Sequence, residues 1–135
     1  MNLLSRVQKI ALISLALIGI FASPSLASGD LNVDCNNAQT TLEMRVCANN
    51  FYGEADKKLN QVYQQLKPKF GSSQQNKLVT AQRAWIQFRD ESCALEGAFA
   101  EGGTLEPVLE LSCLAGVTEK RVKDLERYLE IVNNQ

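Results

Sequence analysis

The chain has 135 residues, with 14 basic and 15 acidic side chains and no histidine, so histidine-based catalysis and histidine-bearing metal sites are excluded at once. Hydrophobic residues make up 45% and charged residues 21%, a globular composition rather than a disordered one.

Taken from the start, the segment MNLLSRVQKIALISLALIGIFASPSLASGD sets Arg6 and Lys9 ahead of an apolar run from Ile10 to Ala22. Pro24 and the small-x-small triplet Ser25, Leu26, Ala27 follow. This is the pattern of a secretory signal peptide, residues 1–27, cut after Ala27. The run holds about 13 residues where a membrane span takes about 20, so cleavage is expected rather than anchoring. Cys35 follows Asn-Val-Asp, not the small apolar residues of a lipid-attachment site, so no membrane anchor is expected after cleavage. Residues 28–135 then form one exported domain, periplasmic or secreted, with a modest core. Without Arg6 and Lys9, 12 basic residues face 15 acidic ones, and the net charge is −3. Nucleic acid and anionic membrane are poor partners for that balance, whereas a cationic protein partner suits it.

Residues 28–39 read as an irregular arm. Thr40 and Glu43 form the capping-box pattern that opens a helix over about Thr41 to Lys67, with Arg45, Ala48, Tyr52, Ala55, Leu59, Val62 and Leu66 at helical spacing. Pro68 and Gly71 stop it. The stretch GSSQQ supplies serine caps for a second helix ending near Ala100, on which Leu78, Ala81, Trp85, Phe88, Ser92, Leu95 and Phe99 form the apolar stripe. EGGT breaks it, and a short helical piece over about Pro107 to Leu114 carries Cys113. Thr118 is expected to cap a last helix whose stripe is Val122, Leu125, Leu129 and Val132. The predicted class is all-α: an antiparallel helical hairpin with the C-terminal helix packed along it.

Four cysteines in a small exported domain read as two disulfides, with three pairings possible. The sequential pairs Cys35 with Cys47 and Cys93 with Cys113 are preferred, because each closes a short segment beside a helix. Each bridge contributes about 3 kcal/mol in the loop-entropy model. No metal and no cofactor are expected, since the cysteine spacing contains no CxxC and there is no histidine to complete a site.

The segment AQRAWIQFRDESC, residues 81–93, holds the chain's single tryptophan between arginines and an acid. With the hairpin turning near residues 70–72, facing residues have numbers adding to about 145, which opposes Leu59 to Trp85 and Ala55 to Phe88. The same register pairs Asp56 with Arg89, and Tyr63 with Gln82, as structural polar pairs flanking the seam, while Arg83 and Asp90 point elsewhere. The segment is therefore the spine of a helix pair rather than an active site. No enzyme is expected: no histidine and no unpaired cysteine supply a nucleophile and base, and Asp90 and Glu91 lie about 100° apart on a helix.

The motifs DCNNAQTTLEMRVCA, ADKKLNQVYQQL, AQRAWIQFRDESC, GGT, and a cysteine followed by VTEKRVKDL occur in that order. In this order they resemble the LprI-like lysozyme-inhibitor domain of bacterial exported proteins, from residue 34 to about 129. The resemblance implies a disulfide-bonded helical domain, residues 28–135, that inhibits lysozyme, a cationic muramidase, or a related peptidoglycan-cleaving enzyme. The alternative on the same scaffold is a non-catalytic, chaperone-like envelope module that binds another protein. For the inhibitor, the expected binding loop is AEGGTLEP, with Glu101, Gly102, Gly103, Thr104 and Glu106 in the segment closed by Cys93 and Cys113. An ordinary helix connection ended by glycine is the other reading of that loop. The mature chain is expected to begin at Ser28; intact mass of the secreted protein checks this, and retention of Met1 would refute it.

Overall fold

The computed structural model describes residues 33–135, so the signal segment expected at residues 1–27 lies outside the described residues. Three long helices carry the fold: α1 (Thr41–Leu66), α2 (Ser72–Gly97) and α3 (Glu106–Asn133). Short 3-10 turns, Lys67–Lys69 and Ala98–Ala100, join on after α1 and α2, and no strand occurs among the described residues. The all-α class and both expected disulfides are present, Cys35 with Cys47 and Cys93 with Cys113.

The start of α1 is chemically determined. Thr40 Oγ1 accepts from the Glu43 backbone N–H at 3.2 Å, while Glu43 Oε2 accepts from the N–H groups of Thr40 at 2.8 Å and Gln39 at 2.9 Å. Those backbone donors favour the charged carboxylate and hold the Glu43 pKa below its ordinary value. The start of α2 departs from expectation. Ser72 and Ser73 lie inside the helix and Gly71 is the cap without a side-chain hydrogen bond; Gln75 instead turns back to donate to the Phe70 carbonyl at 2.8 Å.

The C-terminal helix lies along both others. It runs parallel to α1, where Lys58 meets Glu126 at 3.1 Å, and antiparallel to α2, to which it is tied by Cys93–Cys113 and by Arg121 against Gln82. The core gathers where α1 turns into α2: Leu59, Val62, Leu66, Leu78, Val122 and Leu125 are buried together, with Tyr63, Phe70, Trp85 and Tyr128 packed around them.

Two expectations are corrected. The piece Pro107–Leu114 and the last helix are one continuous α3, and Thr118 is no cap: it lies in mid-helix, fully buried. The stripe Val108, Leu111, Ala115, Thr118, Val122, Leu125 alternates steps of three and four without a break, so Thr118 takes a core position in an unbroken helix. The face of α2 also differs. Leu78, Arg89, Cys93 and Gly97 are its buried residues, whereas Phe88, Leu95 and Phe99 of the expected stripe are exposed. The Cys93–Cys113 bridge turns Cys93 inward, and Gly97 permits the close approach of α3, since a Cβ there would sit 3.2 Å from Glu110 Cβ.

The Thr118 hydroxyl has no hydrogen-bond partner. Thr118→Val removes an unsatisfied buried donor at nearly constant volume and is expected to stabilise the protein by about 1 kcal/mol, read as a raised urea midpoint.

Candidate partner-binding face

Midway along the helices, Trp85 is flanked by two guanidinium groups. Arg89 Cζ lies 5.2 Å and Arg121 Cζ 5.8 Å from the indole centroid, and Arg89 also lies 5.6 Å from the Tyr52 ring. Both arginines are buried, 9% exposed. Arg89 takes its closest carboxylate from the next residue: its Nε and Nη2 each donate to Asp90 Oδ1 at 2.8 Å. Asp90 therefore does not point elsewhere. Asp56 is farther, 3.9 Å from Arg89 Nη1, and also accepts from Asn60 at 3.0 Å. The structure does not bring Tyr63 and Gln82 together as a pair. Arg121 Nε of α3 donates to Gln82 Oε1 at 3.1 Å, and Tyr63 packs against the core.

The expected binding loop is an ordered turn. Gly103 N–H donates to the Ala100 carbonyl at 2.9 Å, and Gly102, at φ +73°, donates to Glu106 Oε2 at 2.8 Å. Positive φ is the conformation glycine supplies without strain. Glu101, Gly102, Gly103 and Thr104 are exposed, but Glu106 bends back as an acceptor within the turn. The loop lies against the start of α1, where Thr41, Leu42 and Arg45 face Gly102, Gly103, Thr104 and Pro107 across a shallow hollow of about 370 Å³. With Arg45 beside it and Glu106 engaged, the loop alone offers one free carboxylate.

The surface around the loop is larger and more distinctive. From residue 90 to 119 every charged residue is acidic: Asp90, Glu91, Glu96, Glu101, Glu106, Glu110 and Glu119. From residue 57 to 89 every charged residue is basic: Lys57, Lys58, Lys67, Lys69, Lys77, Arg83 and Arg89. The antiparallel arrangement gathers Glu91, Glu96, Glu101, Glu106 and Glu110 at the disulfide end, leaves Asp90 and Glu119 midway along the helices, and sets much of the basic group near the turn between α1 and α2. At the acidic end Phe88 (61% exposed), Leu95 (64%) and Phe99 (80%) lie on the outer face of α2 and its 3-10 extension, with Leu105 close in sequence to the loop. Apolar side chains ringed by one sign of charge are the composition of a recognition face. The blocks of charge were there to be read along the chain; the exposure of the apolar residues needed the rotation of α2.

These features define a disulfide-stapled helical protein with an acidic end that also exposes apolar side chains. The family model for the lysozyme inhibitor LprI matches residues 34–125, and the chain belongs to that family. An uncharacterized protein of Rhizobium meliloti (strain 1021) is 33% identical over 75% of this chain and 82% of its own length. No solved structure matches the chain. Among the described residues, no helix is long and apolar enough to cross a membrane, and no cluster of metal-ligating side chains occurs.

The geometry at Arg89 ranks its partners. Asp56→Ala is expected to cost less than about 1 kcal/mol, since the pair is long and the acid 44% exposed. Arg89→Ala, which removes packing against two aromatic rings, should cost about 1–3 kcal/mol in urea denaturation. Equal costs would make Asp56 the main partner of Arg89.

Proposed function

We propose that the protein is an exported inhibitor of lysozyme or a related peptidoglycan-cleaving muramidase, and that it docks through the acidic end built from residues 90–119. Membership of the lysozyme-inhibitor family supports the class of activity. The observation that carries the docking face is the run of seven acids without a base, together with exposed Phe88, Leu95 and Phe99. A cationic muramidase is attracted by the carboxylates before contact, and the apolar residues supply area to bury once contact is made. The ordered turn at Gly102 contributes Glu101 to this face as its tip. Two disulfides and an N-terminal signal suit a periplasmic or secreted protein exposed to such enzymes.

The alternative, a chaperone-like envelope module, draws on the same exposed Phe88, Leu95 and Phe99. Their placement beside the acidic turn rather than apart from it favours a charged, specific partner.

The oxidised protein should slow muramidase lysis of cell walls, more strongly at about 0.1 M salt than at about 1 M, as the Debye length falls from about 10 Å to about 3 Å. Replacing Glu101 with Gln should weaken inhibition, and adding Glu91→Gln and Glu96→Gln should weaken it several-fold, with thermal stability nearly unchanged because all three carboxylates are exposed. Undiminished inhibition by the triple variant would remove the docking face; no inhibition of any muramidase by the parent would leave the envelope module.

A further inference from the structure

We propose that the groove between α2 and α3 at the basic end receives the acidic, apolar end of a second copy of this chain, so that molecules associate head to tail. The groove, about 300 Å³, is floored by Phe70, Leu78, Ala81 and Tyr128 and bears Lys77 and Arg121. Arg121 is the informative residue. It is 9% exposed, its Nε donates to the neutral Gln82 amide oxygen, and among the described residues no carboxylate comes within ion-pair distance. A guanidinium carries several N–H donors, and a buried cation without an anion is costly. An incoming carboxylate would offset that cost, and the apolar floor selects one carried beside an apolar side chain.

The same chain displays that combination elsewhere. Phe99 is 80% exposed, Glu96 lies one helical turn before it, and Glu101 follows it. The groove bears Lys77, from the basic block of residues 57–89, and Arg121 of α3, whereas Phe99 lies in the acidic block of residues 90–119, so the two surfaces are complementary in charge as well as in polarity. They lie toward opposite ends of α2. In this head-to-tail association each pair leaves one groove and one acidic end free for the next molecule. Muramidase and a second copy would compete for the acidic end, but self-association does not depend on inhibitory activity.

Sedimentation velocity of the oxidised protein, with no muramidase present, tests this. At about 0.01 M salt the sedimentation coefficient should rise with protein concentration, and at about 1 M it should fall to the monomer value, as the Debye length shrinks from about 30 Å to about 3 Å. Lys77→Glu and Glu96→Lys alter exposed residues, and circular dichroism confirms that each variant stays folded. Each alone should associate about tenfold more weakly. Their mixture should regain association, because the intact acidic end of the first fits the intact groove of the second and the two altered surfaces are again opposite in charge, and the double variant should regain association for the same reason. A parent that stays monomeric at low salt, or a mixture that stays monomeric, overturns the proposal. A monomeric protein whose Trp85 fluorescence responds saturably to decanoate but not to decanol also overturns it, assigning the groove to a small amphiphilic acid.

Discussion

The bond between Cys93 and Cys113 decides how this protein faces outward as well as inward. A helix with apolar residues on more than one side can turn several of them toward its neighbours. On α2 the buried Cys93 must meet α3, and Gly97, one turn later, lets the two backbones approach. Phe88, Leu95 and Phe99 are thereby left outside. The exposed apolar surface follows from a covalent constraint on rotation, and the acidic residues that share the segment come with it.

The two ends of the molecule are held by different means. Near the turn between α1 and α2, leucines, valines and aromatic rings form the buried core. Toward the other end, Cys35–Cys47 and Cys93–Cys113 stand where large buried side chains are few. Two bridges at about 3 kcal/mol each are a large share of the roughly 5–15 kcal/mol that stabilises a domain. Between the ends, the indole of Trp85 with Arg89 and Arg121 at its flanks fills the interior with cation and ring in place of aliphatic packing. Buried charges of this kind favour one register more than they favour folding itself.

Local signals were legible in the amino-acid sequence. Thr40 with Glu43, Pro68 with Gly71, and the cysteine spacing are short-range chemistry, and each matches the bounds or bridges observed. Signals that depend on a third element were not. Gln82 was assigned to Tyr63 from a two-helix register, and α3 brings Arg121 to it first. Thr118 has the residue type of a cap, yet only the unbroken stripe from Val108 onward reveals it as a core position. The outward stripe of α2 has the same spacing as an inward one, and periodicity cannot say which face a disulfide will choose. The candidate loop at Gly102 was found by its glycines and carboxylates; the wider acidic end required counting charge along the chain.

The separation of charge along the helices has a consequence beyond contact. Acids concentrated at one end and bases toward the other give the molecule a permanent electric dipole directed along its length. An envelope polymer or membrane bearing fixed negative charge exerts a torque on such a body, turning the lysine-bearing turn toward the surface and the carboxylate-bearing end toward the medium. Orientation of this kind requires neither a lipid nor a binding pocket, and it weakens over a Debye length of about 8 Å at physiological ionic strength.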